Sequence, residues 1–406
     1  MQIKQTGSTK KYYLSYTVLF LILLPLVFLC FIKNKFSFIW LPDGLAYFSG
    51  MKELGSMPLF HSGFTFQRGL GRGYQELESI VAIFNPFLLL TRIWPDDKFE
   101  ILYTFRILTG FYLAGFSFSV FARKFVHSIF PTLGGAMTYA FSGFMLLYGV
   151  RHPQFAEILV FLLPLLLLGI EKIFRGESFL ALVPVVFLFS LEGFYYLYIA
   201  TILAGIFYLV RFFTMDELQG KRSIRLFVRL TGQVIAAYGL GIWMSLFSCL
   251  PSLLLYSKGG RIGKPLVNSF FHYNSTYYKN LLLNYFSAAK QVHVFPAIAY
   301  PALFALFFKK HRKNKRTIRW LWILGTLFSC LPLFAYLCSG FSNTTNRWSI
   351  GYTLVVAMAI TAFLEDVPGF SLRRCLICIL GFTFYCSVCF TFSQVKICCS
   401  RIVFLR

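Results

Sequence analysis

Charge is what this sequence has least of. Only 13% of its 406 residues are Asp, Glu, Lys or Arg, and acids are the scarcer kind, 15 against 39 basic residues. With 57% hydrophobic residues and a mean hydropathy of +0.68, this scarcity excludes an ordinary soluble domain, which is about one quarter charged. No HExxH, GxSxG or EF-hand loop is present, and no His residues cluster as ligands. Metal-hydrolase, serine-hydrolase and calcium readings therefore find no support, and neither a metal nor a cofactor is expected. There is no internal repeat at solenoid period and no low-complexity linker. No small-residue cleavage site follows the first apolar run, 13–32, which Lys4, Lys10 and Lys11 precede. That run reads as an uncleaved first helix, not a signal peptide.

What the chain does have is aromatic and apolar surface. Aromatics make up 19%, mainly 50 Phe and 23 Tyr, which suits lipid-facing and interfacial positions. The net charge of +24 does not imply nucleic-acid binding, because the basic residues sit in short clusters between apolar runs, as in cytoplasmic loops. Most of the ten cysteines lie inside apolar runs. Cys375 with Cys378, and Cys386 with Cys389, have the spacing of metal or redox pairs, but read as buried thiols packing one helical turn apart.

A spanning helix needs about 20 mostly apolar residues. Beyond 13–32, candidate spans are 99–121, 129–150, 155–174, 179–190, 194–213, 227–256, 292–308, 320–339, 350–364 and 376–395. The run 80–94 is short and contains Asn85-Pro86, so it reads as a re-entrant or interfacial helix. Leu191-Glu192-Gly193 separates two neighbouring runs as a tight hairpin or a broken helix. The expected fold is all-α: one polytopic transmembrane bundle over 1–406 with about ten or eleven spans. Residues 33–98 form a first extracytoplasmic loop with interfacial helices, and 257–291 form a second. With the N-terminus inside, the basic segments 123–124, 172–175, 211–229, 309–319 and 373–374 all become cytoplasmic, as the positive-inside rule requires. The chain ends soon after its last apolar run, with no soluble C-terminal domain.

In this topology the unusual polar residues emerge together on the outer side, where ionisable groups at membrane depth tend to be functional. Asp43, in Leu-Pro-Asp-Gly, reads either as turn chemistry or as a general base near the interface. Gly69, Gly71 and Gly73 follow no strand and do not form a nucleotide fingerprint. They allow tight turns on the membrane, with Arg72 facing lipid phosphates. Glu192, beside Phe194, Tyr195 and Tyr196, is either a snorkelling carboxylate or part of the site. Arg151 and His152, before Pro153, sit at a helix end as headgroup contacts, a cap or site groups. Arg347, in Asn346-Arg347-Trp348, is the best candidate for a phosphate partner, since a planar guanidinium matches two phosphate oxygens. An interfacial Trp-Arg anchor is the other reading. Arg261 and Lys258 are second choices.

Several segments together carry a family resemblance. They are Asp43-Gly44 with Tyr47-Phe48, Gly55 to Phe60, Gly69 to Gly73, Asn85-Pro86-Phe87 to Trp94-Pro95, and Leu163-Pro164 through Glu171. Phe194-Tyr195, Pro251 to Arg261, and Ser339-Gly340-Phe341 to Trp348 continue the series. In this order they resemble the YfhO-like bacterial membrane proteins over nearly the whole chain. That family is similar to the GT-C class of glycosyltransferases, whose members decorate cell-envelope polymers such as teichoic acids. The resemblance implies a polyprenyl-phosphate sugar donor, a surface-glycan acceptor, a place in the bacterial plasma membrane, and an acidic first-loop base at the position of Asp43. Arg347, Arg151, His152, Arg261, Glu192 and Arg72 are then the donor- or substrate-binding candidates. Membrane lipids and other envelope-glycosylation membrane proteins are the expected partners. Two features depart from the family: Ala46 stands where a polar residue is usual, and members are often far longer, so the chain is a short form or a truncated one. A lipid-linked or anionic solute transporter or flippase, and a non-catalytic membrane partner, remain alternatives.

Overall fold

A run of apolar residues in a bilayer has to satisfy its own backbone hydrogen bonds, so it folds as a helix. The computed structural model describes residues 2–40, 43–56, 65–67, 72–74, 85–192, 194–220, 222–250, 253, 271–275, 277–278, 281, 295–307, 315–369 and 377. Among these the helices are α1 (Gln2–Val27), α2 (Leu29–Asn34), α3 (Asp43–Ser56), α4 (Pro86–Leu90), α5 (Phe99–Ala122), α6 (Ile129–Ala140) and α7 (Phe161–Phe174). They continue with α8 (Val183–Glu192), α9 (Phe194–Thr214), α10 (Ile224–Met244), α11 (Ala299–Ala305), α12 (Lys315–Ser329), α13 (Pro332–Cys338) and α14 (Ser349–Asp366). A small antiparallel hairpin, β1 (Thr65–Gln67) and β2 (Arg72–Tyr74), interrupts the first loop and pairs Phe66 with Gly73.

Five of these helical stretches are long and apolar enough to cross a membrane, and six if the bent pair α12 and α13 counts as one span. This is fewer than the apolar runs suggest, for two reasons. Some runs lie partly or wholly outside the described residues, 376–395 among them. Others are broken. The run 129–150 is α-helical only to Ala140 and resumes as a π-helical turn over Met145–Gly149. The run 155–174 opens with another, Phe155–Val160. The run 320–339 bends by 99° where α12 gives way to α13, because Pro332 cannot donate to the preceding turn. The first span also breaks early: α1 carries Pro25 and ends at Val27, and α2 follows Phe28.

The core is organised on α5, which packs against α6 and α7, while α14 lies along α6. That last contact is close because Gly135 has no side chain. A Cβ there would stand 2.0 Å from Thr361 Oγ1 and 2.8 Å from the Ala357 carbonyl oxygen. Small residues at such crossings let helix backbones approach where lipid offers no hydrophobic drive to pack. α1 is fastened to α5 by Tyr12 donating to Ser119 Oγ (2.7 Å) and Tyr16 donating to the Tyr112 carbonyl (2.6 Å). These polar bonds hold an otherwise lipid-exposed helix.

Charged residues separate to the two ends of the bundle. At one end, Asp43, Arg151 and Arg347 gather. At the other lie Lys124 with Glu177 (2.7 Å), Lys315 with Asp366, and Arg211 with Glu171. Arg211 forms a two-pronged pair with Glu171, Nε to Oε2 and Nη2 to Oε1, both 2.8 Å, and both side chains are almost fully buried. Arg175 shares the same carboxylate at 2.9 Å. Two charges stand away from these ends, Arg106 inside α5 and Glu157 inside the π-helical turn that precedes α7, made tolerable by pairing.

Candidate functional site

Asp43 does not sit in a free turn. It is the first residue of α3, where a carboxylate meets the positive end of the helix dipole. Gly44 behind it is buried, and its carbonyl accepts from the Tyr103 hydroxyl at 3.2 Å. A Cβ on Gly44 would come within 3.2 Å of the Trp40 Cβ, so glycine lets this turn lie close to the chain that precedes it. Further along α3, Phe48 meets Phe99 and Tyr103 edge-on at 5.4 and 5.5 Å. Met51 Sδ accepts from Arg106 Nη1 at 3.2 Å.

Arg106 is also the fork that grips Glu157, with Nε to Oε1 at 2.5 Å and Nη2 to Oε2 at 2.8 Å. Asn85 reaches the same carboxylate at 3.5 Å while capping α4 through its Oδ1, which accepts from the Phe87 amide. One buried ion pair thus ties α3, α4, α5 and the π-helical turn of Glu157 together. The sequence reading missed Arg106 and Glu157. The signal was present, since each is a lone charge inside an apolar run.

The second half of the site comes from the break between the two π-helical turns. There Arg151 closes on Asp43, with Nε to Oδ2 at 2.6 Å and Nη2 to Oδ2 at 2.5 Å, and His152 Nε2 lies 3.7 Å from the same oxygen. Both partners of the Asp43–Arg151 pair are more than a third exposed, so the pair orients the carboxylate more than it stabilises the fold. Its contacts fall on Oδ2. His152 is enclosed by aromatic rings: Tyr47 edge-on at 5.6 Å, Tyr148 stacked at 6.1 Å and Phe155 at 5.8 Å. Burial pushes the His152 pKa down to about 4; the Asp43 carboxylate opposes this, and Arg347 and Arg151 reinforce it. The ring is therefore neutral at pH 7 and cannot serve as a cationic phosphate ligand.

Arg347 arrives from the loop between α13 and α14. Gly340 and Phe341 turn that loop with φ of 63° and 56°, and Trp348 anchors it by burying edge-on against Phe334 at 4.8 Å. The Arg347 guanidinium lies 5.5 Å from the Phe155 ring and 5.6 Å from Tyr195, and Nη1 donates to the Tyr195 hydroxyl at 3.2 Å. Phe155 touches both His152 and Arg347, so Asp43 and Arg347 are joined by three successive contacts. Arg347 Nε and His152 Nδ1 are buried with no hydrogen-bond partner among the described residues. Buried polar atoms in this state are costly unless something outside the chain satisfies them.

Of the sequence-predicted residues, the structure brings Asp43, Arg151, His152 and Arg347 together. Arg72 lies in β2 and Glu192 ends α8, but neither side chain is among those described. Arg261, Gly69, Gly71 and the cysteine pairs at 375–389 also lie outside the described residues. Among the described residues, no three His, Cys, Asp or Glu side chains come together as a metal-ligand set.

Comparison with curated proteins and with solved structures finds no match to this chain. A family match does exist, and it covers residues 15–401, from the first span through every element of the site. A multi-pass helical chain matched over that length belongs to the family described as bacterial membrane protein YfhO.

Proposed function

We propose that this protein is a GT-C-like membrane glycosyltransferase that moves a sugar from a polyprenyl-phosphate donor to a cell-envelope acceptor, a teichoic acid or another surface glycan. In this reading the N-terminus is cytoplasmic, the protein sits in the plasma membrane, and the Asp43 end of the bundle faces outward. The observation that carries the reading is the convergence of one carboxylate and one partly unsatisfied guanidinium at that end, bridged by His152 and Phe155.

The chemistry follows from the atoms. Asp43 Oδ1, left open by the contacts on Oδ2, takes the proton of an acceptor hydroxyl as that oxygen attacks the anomeric carbon. The bond from the anomeric carbon to the phosphate oxygen breaks as the new one forms, which inverts the centre. The polyprenyl phosphate departs as a stable anion, so no general acid is required. Arg347 stabilises its charge through Nε and the remaining guanidinium protons. Arg151 holds Asp43 in place, and neutral His152 contributes a hydrogen bond. Asp43→Asn is expected to keep expression and donor binding and to abolish transfer of a labelled sugar by purified protein. Full activity in this variant would remove Asp43 from the mechanism.

A transporter or flippase of lipid-linked or anionic solutes is the second reading. It is favoured by the broken helices that frame the site, the π-helical turns around His152 and the 99° bend before Arg347. Flux of the lipid-linked sugar across vesicles without any glycosidic product would decide for it.

A further inference from the structure

Arg347 is held differently from the buried cations of the bundle. Arg106, Arg211 and Lys315 each pair with a carboxylate. Among the described residues, Arg347 has instead the Tyr195 hydroxyl and the rings of Phe155 and Tyr195. Fixing a long side chain in one conformation costs entropy, and no ion pair offsets that cost here. The place of the guanidinium therefore depends on the backbone that carries it.

That backbone is fastened from a distant part of the chain. α12 ends at Ser329 and Pro332 has no amide hydrogen, so helical bonding leaves the carbonyls of Ser329 and Cys330 free. The Tyr277 hydroxyl donates to the Ser329 carbonyl at 2.8 Å, and the Tyr278 hydroxyl donates to that of Cys330 at 3.0 Å. A phenol has one proton, so the Tyr277 oxygen can then only accept. Asn346 Nδ2 donates to it at 3.0 Å, and this fixes which way round the Asn346 amide lies. Tyr273 stacks on Tyr277 with ring centroids 3.8 Å apart. One phenol oxygen thus joins the start of the 99° bend to the residue immediately before Arg347. Between these two points the Tyr198 hydroxyl ties the Leu337 carbonyl of α13 to α9 at 2.8 Å. The Asn346 carbonyl accepts from the Ser349 amide at 3.1 Å, which carries the position of Asn346 into the start of α14.

We propose that Tyr277 is a positioning residue for Arg347: acting through Asn346, it holds the turn that carries the guanidinium at the Asp43 site. Tyr195 steadies the side chain from α9, and Tyr277 steadies the backbone. The clasp is a property of the fold and stands whichever reaction the site performs. Its effect on turnover rests on the glycosyltransferase reading.

The test is hydrogen exchange, read by mass spectrometry, of the full chain in nanodiscs, for wild type, Tyr277→Phe, Asn346→Ala, the double variant and Tyr278→Phe. Each of the first two variants should speed exchange of the 343–351 amides about tenfold, the effect of one lost hydrogen bond whose partner stays buried. The double variant should exchange no faster than either single one, because both remove the same contact. Tyr278→Phe loses a bond to the bend but none to Asn346, and should leave 343–351 at the wild-type rate. Asn346→Ala keeps the Tyr277 bond to Ser329, so it carries the test if Tyr277→Phe does not fold. In transfer of a labelled sugar, Tyr277→Phe and Asn346→Ala should lower kcat about tenfold with the acceptor KM unchanged, as weaker charge stabilisation at the departing phosphate requires. Additive exchange in the double variant, wild-type exchange in both single variants, or wild-type kcat in a variant whose turn exchanges faster overturns the proposal. A wild type that transfers no sugar while the exchange pattern holds removes the glycosyltransferase reading and leaves the clasp standing.

Discussion

Acidification tests the site through one side chain, His152. Its ordinary pKa is 6.5, and in the folded protein burial pushes it down to about 4. Between those values the unfolded chain binds a proton that the folded chain refuses, so stability rises with pH in this window. Read downward, the native state begins to lose stability as pH falls below 6.5 and stops losing it once pH passes 4, where both states are protonated. The displacement corresponds to about 3 kcal/mol if fully realised. The side chain is 12% exposed, so solvent screening removes little of this. Other carboxylates titrate in the same range, and the measurement is therefore a difference. Apparent unfolding temperature in detergent is followed from pH 7.5 to pH 4 for wild type and for His152→Gln, which keeps a hydrogen-bonding group without an ionising ring. The wild-type curve should fall more steeply below pH 6.5, with the gap between the curves narrowing by several degrees towards pH 4. Parallel curves over the whole range would refute the burial argument, and with it the conclusion that His152 is neutral at the site.

Two further predictions concern the frame. Gly135→Ala forces a methyl against the Ala357 carbonyl and Thr361, and overpacking of that kind should cost about 1–3 kcal/mol, read as a lower unfolding temperature with unchanged helical circular dichroism. Glu171→Gln leaves Arg211 and Arg175 facing a neutral amide in a buried position. Breaking a buried pair from one side should cost about 3–5 kcal/mol; Glu171→Gln with Arg211→Met should recover much of the loss, and failure to recover would mean the pair is not the stabilising unit.

Much of the helical layout was legible in the chain itself. Backbone in a bilayer has to form helices, so 99–121 and 350–364 read from composition alone land within two residues of α5 and α14. Breaks were harder, because hydropathy averages over a Pro or a π-helical turn. Residues 129–150 look like one apolar run although the helix stops at Ala140. At the site, Asp43, Arg151, His152 and Arg347 stood out as polar groups at the ends of apolar runs. Glu157 and Arg106 did not, being hidden within such runs.

The sequence by itself determined that this is a multi-pass membrane chain, since scarcity of charge and repeated apolar runs depend on no partner. It also separated the basic clusters from the Asp43 set, because alternating spans deliver alternate loops to opposite ends. Only the tertiary structure decided which charges meet. Arg151 reaches Asp43 across 108 positions of chain, Arg347 reaches Tyr195 across 152, and Arg211 reaches Glu171 across 40. Local preference says nothing about pairs so distant. Arg211 and Glu171 pair because a charge in a low-dielectric interior must find an opposite one, and for all three contacts helix packing decides which group is within reach.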